Sequence, residues 1–579
     1  MSSLISALNN TFAGLKDTEA RLNVTSQNVT NADRAGYTRK VYNSEYVSTN
    51  VSTLPSGGVI DSAYTNQFLE KTIIEDTSYA GYSNTISDML STYADQLGKI
   101  SSDSTISSAI NGLLNAFAGL AVTPEDNSLK TEVVAQAQRL AGELSGLSGE
   151  IQGLRTRIET EIAQNVEEIN TALTRLDEIN VQITLTASTG RSVAELEDQR
   201  RVVLAGLAQN VDISYFTDSN NQLKVYSGSR PLLDSQAHQI DYTPATNVGS
   251  TTLYPAGFSP LDLNGTDMTT LFKGGELGGL IELRDTLLVE EQEKLDEFAD
   301  VLREQLNTVL NQGASYAART SIVGDEDGFA LGDALGATGF VRIALTDNLG
   351  AVQNFGDFDL SGYATINDMI NDMNATFGGA IVAALDVDGS LTFTSGVAGQ
   401  GVSLNQLDSD IAGETFSMAF GLNNLFTGEG AQDLKVSSYL LANNAHLATS
   451  RLSSDPALVV GDIGLNPGDG TLAQELNDAF TTYHSFNAAG NFAGQTETLD
   501  AYVDKIIANI AVRANNASEE ALTTNLILEQ TQTTLENLTG VNVDEEMANL
   551  IDLESKYSAS ARMMATIQEM FDELINAVR

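Results

Sequence analysis

The sequence predicts a mainly α protein with β-rich insertions: an elongated, multidomain subunit with a long interior helical bundle and small outer β modules. Three observations carry that expectation. Apolar residues at Val133, Ala137, Leu140, Leu144, Leu147, Ile151, Leu154 and Ile158 keep heptad spacing within one stretch, 129–183. Its roughly 50 residues make a rod of roughly 75 Å, longer than a compact domain needs. Both ends of the chain carry stripes of the same three-four spacing, whereas 320–430 is full of Asp, Asn and Gly turns between short apolar runs. At 579 residues the chain is also too long for one core, and roughly three to five folded units are expected.

Taken in order, 3–31 reads as an amphipathic helix whose seam is Ile5, Leu8, Phe12, Leu15, Leu22, Ser26 and Val29, broken by Glu19. A polar turn follows at 31–37, with Gly36 able to take positive φ. Residues 37–60 favour extended structure through Tyr37, Val41, Tyr42, Tyr46, Val47 and Val51, and 66–96 is helical again. In the long interior helix the steps from Ile158 to Ile162 and on to Val166 are both four, before Ile169, Leu173 and Leu176 restore the pattern. Consecutive fours are a stutter that relaxes a left-handed supercoil locally. A helix over 193–209 precedes a hairpin of 211–215 and 223–226 around the Asp218–Asn221 turn. A glycine-rich, irregular stretch runs to Leu271, and helix resumes over 280–310. Beyond the β-rich region, helices are expected at 472–486 and 502–538. The last helix opens at Asp544, Glu545 and Glu546, acids that suit the positive end of a helix dipole. Its seam is Leu550, Leu553, Tyr557, Ser560, Met564, Ile567, Phe571, Leu574 and Val578. A lone amphipathic helix draws most of its stability from a partner, so the two ends need each other or a neighbouring copy. The expected units are 1–60, 61–200 (long-helix rod), 201–319 (hairpin and helix), 320–430 (β-rich, outer), 431–539 (helical return) and 540–579.

Charge and motif content narrow the function. A formal charge of −47, from 30 basic and 77 acidic residues, argues against nucleic acid or an anionic membrane surface as partner. Cysteine is absent, which removes disulfides and thiolate sites. No run of 18 apolar residues spans a membrane, and Met1–Leu15 lacks the basic n-region of a cleavable signal. His238, His446 and His484 share no ligand spacing. The loops at 325–328 and 386–389 resemble fragments of a calcium loop without its closing glutamate. The glycines at 274–279 lack the Gly-Lys-Ser/Thr of a phosphate loop. No catalytic residue, metal or cofactor is expected, and the function should reside in interfaces.

The run 22–32, continued by Gly36-Tyr37-Thr38-Arg39, resembles the N-terminal motif of the bacterial flagellar rod, hook and hook-associated (axial) proteins, with Asn28, Asn31, Ala32, Gly36, Tyr37 and Arg39 as its motif positions. The C-terminal run from Gly540 and Val541 through Asp544, Glu545 and Glu546 to Leu550, then 557–562, is similar to the end of the family members that form the first hook-filament junction layer. The segments 196–200, 278–285 and 421–426 resemble interior parts of the same proteins, while Glu554 stands where the family often has glutamine. The resemblance implies a structural subunit of the flagellum at the hook-filament junction, exported without cleavage, whose terminal helices pair as a coiled coil on assembly. Ile5, Leu8, Phe12, Leu15, Leu22 and Val29 would face Leu550, Leu553, Tyr557, Met564, Ile567, Phe571 and Leu574. The implied partners are further copies in a ring or helical layer, the hook protein, the second junction protein, the flagellar export apparatus and an export chaperone. Two other readings stay open on the sequence: another axial subunit of hook or distal rod, or a secreted binding or adhesion module.

Overall fold

A computed structural model describes residues 2–34, 36–48, 53–62, 66–97 and 105–578; Val51, expected in a strand, lies outside them. Its axis is one helix. Asp126 caps it by accepting the Ser128 N–H at 2.7 Å, and it then runs for 62 residues. It follows α1 (Ser2–Thr30), the hairpin β1 (Lys40–Ser48) and β2 (Thr53–Ser62), α2 (Gln67–Leu97) and α3 (Ile106–Val122), and is itself α4 (Asn127–Ser188). At 1.5 Å per residue α4 is about 93 Å long. Every expected stripe residue from Val133 to Leu176 is buried except Leu147, which is half-buried. Ser148 takes the inward position there, its hydroxyl donating to Gln292 Oε1 at 2.8 Å. The buried stripe continues past the expected end through Ile179 and Ile183.

Beside α4 lies α3, a helix the sequence reading does not place. Thr105 caps it by accepting the Ser108 N–H at 3.2 Å, and it buries Ile106, Ile110, Leu113, Phe117 and Leu120. Next come α5 (Ala194–Asn210) and the three-stranded antiparallel sheet of β3 (Ser214–Thr217), β4 (Leu223–Ser227) and β5 (Arg230–Leu233). This contains the expected hairpin, with Tyr215 opposite Val225. The short strands β6 (Ile240–Asp241), β7 (Asp262–Leu263) and β8 (Thr266–Asp267) precede α6 (Gly275–Glu282), which runs through one π-helical turn, Leu283–Leu287, into α7 (Leu288–Leu310).

The π turn presents Arg284 inward, where it is fully buried and paired with the equally buried Glu159 at 2.8 Å and with Asp285 at 2.7 Å. Tyr242 Oη accepts from the same guanidinium at 3.0 Å and the Phe258 ring lies 4.4 Å away. Arg155 donates to the carbonyl oxygens of Gly249 at 3.2 Å and Arg284 at 3.1 Å. The glycine-rich stretch that looks irregular in sequence is thereby pinned to the rod by buried, satisfied charge.

Residues 321–422 form an outer module with its own core. One antiparallel sheet pairs β11 (Phe340–Asp347) with both β12 (Val352–Asp359) and β15 (Gln400–Asn405); the other pairs β14 (Leu391–Ser395) with β9 (Ser321–Val323) and β13 (Ile381–Leu385). A two-stranded ladder joins β10 (Ala337–Thr338) to β16 (Asp410–Ile411). The module is not purely β. Helix α8 (Ile366–Phe377) opens on a Thr365–Asp368 capping box and buries Ile366, Met369, Ile370, Met373 and Phe377. The two acidic turns meet, the Gly328 N–H donating to the Asp388 carbonyl at 2.9 Å. Among the described residues no group of three His, Asp or Glu side chains converges as a metal site would require.

Burial raises the Asp325 carboxyl to about 6 at the seam between module and rod, where it accepts the Ser437 hydroxyl at 3.1 Å. A carboxyl whose folded value lies above its unfolded value of 3.8 adds stability below that value and loses it as pH rises through about 6. Asp325→Asn is therefore expected to gain on the order of 1–2 kcal/mol relative to the parent between pH 4 and pH 7.5. Urea titrations of both proteins at the two pH values measure this. A difference that does not change with pH would contradict it.

The module ends with the one-turn helix α9 (Phe416–Ala419), and the chain returns to the rod through α10 (Gly430–Asp433) and α11 (Ser438–Ala442), then α12 (Thr471–Thr481), α13 (Leu499–Thr539) and α14 (Val543–Val578). α13 packs along α2 in the opposite direction, with Thr531 Oγ1 donating to Asp76 at 2.9 Å and Asn525 donating to Asn84 at 2.8 Å. Among the described residues no helix is long and apolar enough to cross a membrane.

Candidate functional site

The two ends of the chain meet the rod at one polar joint. Its centre is Thr38-Arg39-Lys40, the segment leading into β1, whose alternating side chains point to opposite sides. Thr38 and Lys40 face α5. There Asp198, 5% exposed, accepts the Thr38 N–H at 3.2 Å and hydroxyl at 2.8 Å, the Lys40 ammonium at 2.6 Å and Arg201 at 2.9 Å. Arg201 also donates to Glu70 at 3.0 Å, carrying the link to α2. Lys40 is buried and its ammonium donates further to Thr38 Oγ1, Ser62 Oγ and the Ala194 carbonyl. Burial lowers its pKa while the Asp198 hydrogen bond and charge oppose that shift.

Arg39 faces the other way, onto the start of α14. Its guanidinium lies 2.7 Å from Glu546, which is 2% exposed, and 3.3 Å from Glu545, and its N–H donates to the Thr539 carbonyl at 2.8 Å. Asn28 closes the arrangement. Its Oδ1 accepts the Lys40 N–H at 2.9 Å and the Tyr37 hydroxyl at 3.0 Å, and its Nδ2 donates to the Lys40 carbonyl at 2.9 Å and to Glu546 at 3.1 Å. The side-chain amide thus pairs with Lys40 as a neighbouring strand would, and every hydrogen-bonding capacity of the amide is used. Burial, then the Asp198 charge, push the Tyr37 phenol up to about 12. Asn542 caps α14 by accepting the N–H groups of Asp544 at 3.1 Å and Glu545 at 3.2 Å.

The motif positions divide by role. Asn28, Tyr37, Arg39, Glu545 and Glu546 are brought together. Asn31 donates to the Gln27 carbonyl at 2.9 Å and ends α1, and Ala32 and Val541 are half-buried. Gly540 ends α13, its N–H donating to the Glu536 carbonyl at 2.7 Å, while Asp544 is exposed. Gly36 has φ +74°, and a Cβ there would sit 2.4 Å from Val202 Cγ2 of α5. Gly36→Ala is expected to cost about 1–2 kcal/mol, from left-handed backbone strain and the forced shift of Val202. The paired variant with Val202→Ala should recover only the contact part, and equilibrium urea unfolding separates the two.

The seams are placed differently from the reading. α1 packs on α14. In α14 the expected side is the least exposed one: Ile567 is buried, Leu550, Leu553, Met564, Phe571 and Leu574 are half-buried, and Tyr557 is 37% exposed. In α1, Leu8, Leu15, Leu22 and Val29 are half-buried, but Ile5 is 48% and Phe12 60% exposed. The sheltered strip is Leu4, Leu8, Thr11, Leu15, Thr18, Leu22, Thr25 and Val29, an unbroken four-three alternation. Threonine fits it because the hydroxyls of Thr11 and Thr18 donate to the carbonyls of Ala7 and Gly14 one turn back, at 2.9 and 2.8 Å. Sequence reasoning also missed Arg201 and Glu70, and it noted Asp198 only inside a family-like segment.

Comparison with known proteins supplies the context. Residues 90–321 match the family model described as flagellar hook-associated protein FlgK helical domain, and residues 534–577 match the one described as flagellar basal body rod FlgEFG protein C-terminal. Flagellar hook-associated protein 1 of Escherichia coli (strain K12) is 24% identical over 594 residues, covering all of both chains. The chain is similar along its full length to flagellar hook-associated protein 1. The protein of that name from Bacillus subtilis (strain 168) is 22% identical, covering all of this chain and 99% of the relative. The solved flagellar hook junction protein FlgK from Burkholderia pseudomallei shares the fold, with TM-score 0.51 and 14% identity over 80% of this chain and 99% of that one. The joint brings Glu545 and Glu546 of the second matched segment and Asp198 of the first onto the same three residues, Thr38, Arg39 and Lys40.

Proposed function

We propose that this protein is a structural subunit of the bacterial flagellum that forms the junction between hook and filament, and that it assembles through its terminal helix pair. The observation that carries the reading is the joint, where residues of the N-terminal axial motif clasp the acidic start of the C-terminal helix and bolt both to the rod. A pair held this way still turns Ile5 and Phe12 of α1, and Met547, Ile551, Met563, Met570 and Ile575 of α14, toward solvent. Two helices alone leave these apolar side chains uncovered, and neighbouring copies in a ring or helical layer would cover them. Full-length kinship with hook-associated protein 1 supports contact with the hook protein on one side and the second junction protein on the other. It also supports passage through the flagellar export apparatus with a chaperone guarding the apolar helix, and a final place on the flagellum outside the cell.

Immunogold electron microscopy of intact flagella and hook-basal bodies tests this, comparing the full chain with versions lacking 1–40 or 540–579. Label confined between hook and filament, and lost in both truncations, is the expected result. Label along the whole hook would assign another axial role, and label over the cell surface indifferent to truncation would overturn the proposal.

A further inference from the structure

The outer module joins the rod through two chain crossings, outward after α7 and back through 422–427, and the later segment 450–465 also bonds to its sheet, where Arg342 donates to the Ser453 and Asp455 carbonyls. Between the two crossings lies a set of buried amides that the terminal joint does not involve. Asn307, one turn before the end of α7, accepts the N–H groups of Leu425 at 2.8 Å and Phe426 at 3.1 Å through Oδ1, and donates to the Phe426 carbonyl at 2.8 Å. Asn311, fully buried just past that end, accepts the Asn423 N–H at 2.9 Å and the Ser417 hydroxyl at 2.7 Å, and donates to Asn424 Oδ1 at 2.8 Å and the Asn307 carbonyl at 2.9 Å. Asn423 donates to the Gly313 carbonyl at 3.0 Å and accepts from Arg319, tying the outgoing crossing to the returning one.

We propose that this amide ladder is the positioning device of the outer module, holding it in one orientation against the rod so that it stands as a fixed arm. Apolar contacts across the seam are non-directional and tolerate sliding. The ladder does not. Both donors and both acceptor positions of Asn311 are used, and they reach α7, the module and the returning crossing at once. Any change of module angle leaves several buried polar groups unpaired together. The surface the module shows to the outside is then set by each subunit's own seam and not by its neighbours. This goes beyond the junction reading and stands whether or not that reading does.

The absence of native cysteine makes a direct test practical. Spin labels at Glu150→Cys on α4 and Ala375→Cys on α8, both exposed, report the rod-to-module distance distribution by double electron-electron resonance. The parent is expected to give one narrow distribution. Asn311→Ala should at least double its width, and Asn311→Asp, which sets a carboxylate oxygen against the Asn424 and Asn307 oxygens to which the amide donated, should broaden it at least as much. In each case the module's own unfolding transition should persist. Leu425→Ala, which trims a buried apolar side chain at the same seam and keeps the backbone N–H bond to Asn307, should leave the width near that of the parent. If Asn311→Ala does not fold, Asn311→Asp against Leu425→Ala decides. A parent distribution already broad, an Asn311 variant as narrow as the parent, or equal broadening by Leu425→Ala would overturn the proposal.

Discussion

Replacing Asp198 by alanine will lower the unfolding free energy by about 3 kcal/mol, the lower end of the range for stranding one member of a buried ion pair. The carboxylate accepts from Thr38 twice, from Lys40 and from Arg201, so its removal leaves the Lys40 ammonium enclosed with only neutral oxygens around it. Those oxygens, on Thr38, Ser62 and Ala194, are the reason to expect the lower end. Asp198→Asn can still accept from Thr38 but carries no charge, and should fall between the two. Adding Lys40→Met to Asp198→Ala removes the stranded cation and should recover most of the loss, since replacing both members of a buried pair by apolar groups is often neutral. Urea titrations of the four proteins form the test. A single Asp198→Ala loss below about 1 kcal/mol, the worth of an exposed pair, would mean that the joint is not a stabilising contact.

The joint also shows which parts of the structure were legible in sequence. Long-range architecture came through wherever a local pattern repeats. The heptads of α4 are visible because the rod uses the same face for over a dozen turns, and one exception, Ser148 in place of Leu147, does not disturb the count. The ends were legible for a different reason: Asn28, Tyr37, Arg39, Glu545 and Glu546 stand in runs that resemble a family, and the structure brings those five into one hydrogen-bonded cluster. Their partners were not legible. Asp198 lies 158 residues from Lys40 and Arg201 lies 131 from Glu70, and pairing at that separation leaves no mark on local composition.

The α1 seam failed for a physical reason. Counting only apolar residues selected Ile5 and Phe12 and passed over Thr11, Thr18 and Thr25. A threonine whose hydroxyl bonds back to the preceding turn presents a methyl group and behaves as a small apolar residue. In the outer module, alternating short apolar runs made strands visible, but α8 lies between strands in a run of Asn, Asp and Met whose capping box is its clearest helical signal. The irregular look of 242–260 was also misleading, since its order comes from Arg155, Arg284 and Glu159 on other elements and not from its own sequence.

Phe12→Glu separates the two faces of α1. Because Phe12 is 60% exposed in the single subunit, the substitution should leave monomer stability within about 0.5 kcal/mol. If neighbouring copies bury that ring, each subunit loses about 2 kcal/mol of apolar burial, before any cost of placing a carboxylate in an apolar contact. The concentration needed for assembly should then rise by at least about 30-fold. Ile5→Glu, one helical face with Phe12 and also exposed, should act the same way. Leu15→Glu, on the sheltered strip, should instead weaken the helix pair within the subunit and appear as a loss of monomer stability. Circular dichroism of dilute subunit together with sedimentation across a concentration series distinguishes these outcomes. Normal assembly by both Phe12→Glu and Ile5→Glu would show that the outward face is not what neighbouring copies bury, and the paired helices would then be a structural element of the single subunit alone.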